Sequence, residues 1–308
     1  MGAAMVALLL GMLYADHWLE QVDVSNTAFQ AVLGDAAHPP GGLVILAMLI
    51  VMIALAGGEL AQMARAKGVI ADRWTLALAG TVGVVSVHAI ALTLSGAEAT
   101  AAHGSVAGAV LALALLRHAW GGNTQGVTVA AALALLALVY LGALPGFYLL
   151  MRQEHAAGVV AAAALVIKSC DIGAYFTGRT IGRHKLIPWL SPGKTWEGLI
   201  GGVTLAAVLA VALAAASNYF GWAGRWTGQG SERIFEPMQY SLVWAVIGGV
   251  VLAVAGQLGD LAASLLKRDA GVKDSGSTIP GFGGVLDVMD SLILAAPLAY
   301  WLTLLAVV

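Results

Sequence analysis

The chain has 308 residues, of which 60% are hydrophobic and 10% charged, with a formal net charge of -2 at neutral pH. Soluble domains carry roughly 25% charged residues, so the composition excludes a water-soluble fold and describes an integral membrane protein; the charge balance offers no field for nucleic acid, which is not expected as a partner. The one cysteine, Cys170, excludes an internal disulfide and a cysteine-cluster metal site.

A helix crossing a bilayer needs about 20 apolar residues at a rise of about 1.5 Å each. Hydropathy on that basis predicts an all-α polytopic bundle of about nine transmembrane helices, near 1–15, 42–63, 74–95, 101–118, 126–150, 156–178, 197–217, 240–263 and 290–308. The first lacks a basic leader and is read as a short span rather than a cleavable signal. Five spans fill an amino-terminal region, 1–155, and four fill a region, 156–308, that carries the polar motifs. Alternate loops collect Arg65, Lys67, Arg73, Arg117, Arg179, Arg183, Lys185, Lys194, Lys267, Arg268 and Lys273 on one side, against Arg152, Arg225 and Arg233 on the other. The positive-inside tendency puts the amino terminus and both motif loops, 179–196 and 264–289, in the cytoplasm. The loop 16–41, with Asp16, Glu20, Asp23 and Asp35 and no Lys or Arg, is expected outside. The abundance of small residues favours close helix packing and is compatible with a homodimer.

The sixth span contains Lys168 and Asp171 at i and i+3. Charge inside a membrane is costly, so this pair is expected to face the bundle. The following loop ends in SPGKTWEG, 191–198. A nucleotide-binding P-loop would need a glycine where Pro188 stands, so that reading is rejected. The remaining expectation is that Ser191 and the amides after it open the seventh helix as an anion site, with Lys194 adding positive charge. In the eighth span, Asp260, Ser264 and Lys267 follow at i, i+4 and i+7 and share one face. A glycine-rich stretch with Gly281, Gly283 and Gly284 leads to Asp287 and Asp290, again on one face. Asp260, Asp287 and Asp290 can therefore converge from two helices, and oxygen ligands of this kind suit Mg2+ with substrate phosphates completing its shell. The histidines show no metal-ligand spacing, and no Ser/His/acid triad is recognisable.

Ser264, Lys267, Arg268, Lys273, Asp274, Gly276, Ile279, Pro280, Gly283, Gly284, Asp287 and Asp290 together resemble the signature of the phosphatidate cytidylyltransferases, or CDP-diacylglycerol synthases. Upstream, Asp171, Gly173, Gly178, Gly182, His184, Lys185 and the 191–198 segment with Gly201 and Gly202 are also similar to that family. The resemblance covers the carboxyl-terminal half. It implies transfer of the cytidylyl group of CTP to phosphatidic acid, giving CDP-diacylglycerol and pyrophosphate, at the cytoplasmic face of a bacterial inner membrane. It further implies catalytic roles for Asp260, Lys267, Asp287 and Asp290, with Asp171, Asp260, Asp287 and Asp290 as metal ligands. Ser191, Lys194, Ser264, Arg268, Lys273, Asp274, Gly283 and Gly284 would contact CTP or the lipid phosphate. Two positions depart from the family pattern: Phe282 stands for its usual histidine and Val288 for its usual arginine, which removes a titratable group and a fixed cation from those positions. The alternatives are a related CTP-using enzyme acting on an isoprenoid lipid and, from another class, an ion-coupled transporter using Lys168, Asp171 and Asp260.

Overall fold

Inside a bilayer no water satisfies backbone N–H and C=O groups, so long apolar runs close their hydrogen bonds within helices. The computed structural model describes residues 2–23, 38–69, 71–122, 124–227, 234–281 and 283–306, with side chains from residue 11 onward. Asp35, Arg233 and Phe282 lie outside the described residues. The helices are α1 (Gly2–Glu20), α2 (Leu43–Ala66), α3 (Arg73–Thr93), α4 (Gly96–Trp120), α5 (Val127–Leu136), α6 (Leu144–Glu154), α7 (Ala157–Ile181), α8 (Trp196–Phe220), α9 (Leu242–Asp269) and α10 (Val285–Ala306). Between α5 and α6 the chain stays helical through a π segment, Ala137–Ala143. Pro145, just beyond it, has no N–H to give to the preceding turn, which accounts for the widened ladder there.

Eight stretches among the described residues are long and apolar enough to cross a membrane: α2, α3, most of α4, α5 to α6 as one, α7, α8, α9 and α10. They match the second to ninth expected spans, so the protein is a polytopic membrane helix bundle. The expected first span falls in α1, a 19-residue helix that is not one of the eight. Helix α1 also runs further than hydropathy suggested, so Asp16 and Glu20 sit in its last turns rather than in a loop beginning at 16. Arg152, at the end of α6, is the reason. Its Nε donates to Asp16 at 2.7 Å and its Nη2 to Glu20 at 2.5 Å. Asp16 also accepts the amides of Gly42 and Val44 at the start of α2, at 3.1 and 2.9 Å.

Two short antiparallel hairpins interrupt the helical pattern. Strands β1 (Lys185–Ile187) and β2 (Ser191–Thr195) pair Lys185 with Thr195 and Ile187 with Ser191, while β3 (Gly224–Thr227) and β4 (Ile234–Pro237) pair between α8 and α9. The first hairpin corrects the expectation that Ser191 opens a helix. Residues 191–195 form a strand of the hairpin, and α8 begins only at Trp196, where the Thr195 hydroxyl accepts the Gly198 amide at 3.1 Å as an N-cap. Close approach of α7 to α8 explains Gly173, because a Cβ there would lie 2.9 Å from the Gly202 Cα.

The loops gather at two ends. A Lys67 to Asp269 ion pair of 2.6 Å joins the α2–α3 connection to the end of α9. The Arg152 group lies at the other end, because α7 carries the chain from Ala157 up to Asp171, about 20 Å along its axis.

Candidate functional site

Near the end of the bundle that carries the basic loops, polar side chains from α7, β2, α9 and α10 meet. Lys168 on α7 donates to Ser291 Oγ on α10 at 2.6 Å and lies 3.8 Å from Asp171 and 3.9 Å from Asp290. Lys194 on β2 reaches α9, with Nζ 2.7 Å from Asp260 Oδ2 and 2.9 Å from Gln257 Oε1. Gln257 turns its amide to Asp171 Oδ1 at 2.9 Å. Lys168 and Lys194 thus gather the carboxylates of Asp171, Asp260 and Asp290 into one group, in which the charge of Asp260 acts on both Asp171 and Asp290. Lys168 and Asp171 thus pair as their spacing suggested and face the bundle.

The backbone makes this meeting geometric. A Cβ on Gly259 would strike the Asp290 carbonyl and sit 3.1 Å from the Ser291 Cα, so only glycine lets α9 press this closely on α10. Asp260, the next residue, is thereby carried against Asp290. Gln257, Asp260, Ser264 and Lys267 recur along one face of α9, with Ser264 half-buried between Asp260 and Lys267.

A second polar group adjoins the first. Lys267 is buried and donates to Asp287 Oδ1 at 2.7 Å. It also acts at longer range on Asp260 and Asp290. The other Asp287 oxygen accepts the amides of Ser275 and Gly284, both at 2.9 Å. Asp287 and Asp290 share a helical face yet do different things: Asp287 is turned back into the loop, and Asp290 towards α7 and α9. Among the described residues no three His, Cys, Asp or Glu side chains form a ready metal cage.

The loop itself is tightly organised. Ile279 and Gly283 exchange backbone hydrogen bonds of 2.8 and 3.1 Å, and Gly281 and Gly283 take left-handed φ values of 81° and 91°. The amides of Gly283 and Gly284 are therefore spent inside the loop. Arg268 is exposed and ties α9 to its surroundings through the carbonyls of Leu190 at 3.5 Å and Val272 at 3.3 Å. Lys273 and Asp274 are exposed, Ser191 is half-buried at the start of β2, and Val288 is half-buried on α10.

Two residues in this region escaped the sequence reading. Gln257 is a polar residue in an apolar run, one turn before Asp260 and on its face. Glu59, on α2, is buried against the glycine loop and accepts from Ser275, Thr278, Val285 and Leu286. The signal for both was polarity within a span, which membrane insertion makes expensive.

This arrangement can gather anions and cations at a membrane surface, and comparison with known proteins points the same way. The chain is 37% identical over 169 residues to the phosphatidate cytidylyltransferase of Bacillus subtilis, a match covering 54% of this chain and 56% of that one. It is 34% identical over 178 residues to the protein of that name from Pseudomonas aeruginosa, covering 58% and 57%, and 43% identical over 137 residues to that from Haemophilus influenzae, covering 43% and 41%. The chain thus spans about half the length of the curated relatives it matches. A family model described as the cytidylyltransferase family matches residues 27–306, which takes in α2 with Glu59 as well as the polar meeting of α7, β2, α9 and α10. With both halves of the site inside that match, the chain belongs to the cytidylyltransferase family.

Proposed function

We propose that the protein transfers the cytidylyl group of CTP to phosphatidic acid, forming CDP-diacylglycerol and releasing pyrophosphate. The observation that supports this most is the meeting of Asp171, Asp260 and Asp290 with Lys168 and Lys194 at a half-exposed end of the bundle. The name carried by the bacterial relatives agrees with it. A phosphate oxygen of the lipid bonds to the α-phosphorus of CTP as the bond from that phosphorus to the bridging oxygen breaks, and pyrophosphate leaves with the electron pair. The lipid phosphate is already an anionic nucleophile, so the protein's task is to hold two anions in line and offset their repulsion.

The donor set fits magnesium. It consists of oxygens only, with Asp171 and Asp290 grouped about Lys168 and Asp260 held by Lys194, and magnesium commonly takes one or two carboxylates together with substrate phosphates. When bound, such an ion supplies positive charge to phosphate oxygens. Asp287 is better employed in holding Lys267, since both its oxygens are engaged. Lys194 and Lys168 flank the carboxylates with donors to spare, an ammonium having three. They and Lys267 receive phosphate oxygens, while Ser191 on β2, Ser264 and Arg268 on α9, and Lys273 and Asp274 in the loop after it meet the nucleotide, and Gly283 and Gly284 shape the loop that leads into α10. By the positive-inside tendency this end faces the cytoplasm, where CTP is soluble and phosphatidic acid lies in the adjoining leaflet of a bacterial inner membrane.

The test is to supply purified protein with CTP labelled at its α-phosphate and phosphatidic acid, with and without magnesium. Label should enter the lipid fraction with equimolar pyrophosphate, and only with the metal. An isoprenoid-ether phosphatidate belongs in the same experiment because Val288 and Phe282 replace the family's arginine and histidine. Labelling of that lipid alone would replace phosphatidic acid as substrate, and no labelled lipid in any arm would overturn the reading.

A further inference from the structure

We infer that Glu59 is a positioning residue for this site: its carboxylate, supplied by α2, caps α10 from outside and fixes the glycine loop that aims Lys267 and Asp290. The inference rests on the function proposed above for its catalytic consequence, but its structural half stands separately.

The first amides of a helix have no partner within it and are ordinarily met by the side chain of the preceding residue. Before α10 that residue is Gly284, which has no side chain. Asp287 supplies half a capping arrangement by accepting the Gly284 amide at 2.9 Å. Glu59 supplies the rest. Its Oε1 accepts the Val285 amide at 2.8 Å and the Thr278 hydroxyl at 2.7 Å; its Oε2 accepts the Leu286 amide at 3.0 Å and the Ser275 hydroxyl at 2.9 Å. A carboxylate has about four acceptor positions, and four donors fill them. Negative charge at the start of α10 is also favoured by the helix dipole.

The motif glycines follow from this packing. A Cβ at Gly284 would strike both Ser275 Oγ and Glu59 Oε2, and one at Gly276 would lie 2.9 Å from Glu59 Oε1. The Ser275 hydroxyl stands between Glu59 and Asp287, 3.0 Å from the latter, whose oxygen already takes two amides, so its single proton serves Glu59. The chain of contacts runs Glu59, Ser275, Asp287, Lys267. By holding the first turn of α10, Glu59 also sets the height at which Asp290, one turn further, meets Asp260. Glu59 touches none of the residues proposed to contact substrate phosphates except through this loop.

Glu59→Gln keeps the shape but turns an NH2 towards one of the two backbone amides. In full-length protein in lipid nanodiscs, hydrogen exchange in the 275–286 peptide should accelerate by about 10–100-fold while α8 peptides stay unchanged. The kcat per folded molecule should fall by about 10–100-fold, as for removal of partners that orient a catalytic shell, with KM for CTP within about threefold of the parent. Thr278→Val and Ser275→Ala remove single donors and should give smaller changes in the same direction, which keeps the test available if Glu59→Gln fails to fold. Arg152→Met, destabilising at the other end, should leave both the loop exchange and kcat per folded molecule at parental values. Parental exchange in the 275–286 peptide of Glu59→Gln, or faster exchange with parental kcat, would overturn the inference. A parent protein that transfers no cytidylyl label would instead overturn the proposed function, and the exchange arm would still decide whether Glu59 holds the loop.

Discussion

Two polar clusters interrupt the same apolar bundle, and they differ in closure. At one end the side chains of Arg152, Asp16 and Glu20 are 0%, 1% and 4% exposed. The guanidinium is fully enclosed and paired with both carboxylates, and Asp16 takes two helix-end amides besides. At the other end Lys168 and Asp171 are 36% and 38% exposed and Asp260 is 28% exposed, while Asp290 beneath them is 9% exposed. Charges meet there from four elements, with contacts of nearly 4 Å alongside shorter ones. A sealed, saturated ion group has no capacity left for a ligand and reads as a structural joint between α1, α2 and α6. An open group with lysine donors and carboxylate oxygens to spare reads as a place where anions and cations exchange partners. Intramembrane charge alone does not separate these two roles, but access to solvent does.

The sharpest break of the comparison is Arg152→Met. It leaves two buried carboxylates without a cation, a loss worth about 3–5 kcal/mol in buried pairs, so thermal unfolding in detergent should fall steeply while turnover per folded molecule stays parental. Asp290→Asn and Asp260→Asn should do the reverse, cutting turnover by more than about 100-fold with unfolding near the parent and raising the magnesium needed for half-maximal rate. Asp287→Asn separates the two aspartates of α10. It should lower turnover by roughly 10-fold through a loosened Lys267, without moving the magnesium requirement, and a shift equal to that of Asp290→Asn would show that Asp287 is a ligand after all.

The smallest effect is in pH. His155, beside Arg152 between α6 and α7, has its imidazole pushed down to about 4, first by burial and then by the nearby Arg225 charge. Both its ring nitrogens lack a partner among the described residues. Unfolded, the group takes a proton near 6.5 that the fold refuses, so stability is intact above that pH and declines as pH falls from about 6.5 towards 4. His155→Phe should flatten the fall in unfolding temperature between about pH 7 and 5.5, above the range where carboxylates titrate. An unchanged slope would mean that other groups carry the acid sensitivity.

Eight of the expected spans could be read from hydropathy because each is a local property: some twenty apolar residues in a row have one way to satisfy their backbone in lipid. Asp260 and Lys267 on one face of α9 were likewise legible, since helical spacing fixes direction. The hairpin at 185–195 was not, because its strands are too short and mixed for any period to show. The divergence of Asp287 from Asp290 was not either; equal spacing gave them one face, and only the loop folded against it decided that Asp287 looks backwards.

By itself, then, the sequence determined that this is a membrane helix bundle, which helices carry the charges, and which family motif they compose, since these depend on neighbours along the chain. The tertiary structure decided which charges meet. Lys194 with Asp260, Lys168 with Asp290, Arg152 with Asp16 and Glu59 with the glycine loop join residues 66 to more than 200 positions apart. Their pairing is set by how closely helices pack at residues such as Gly259 and Gly284, a property of two surfaces together that neither strand of sequence contains alone.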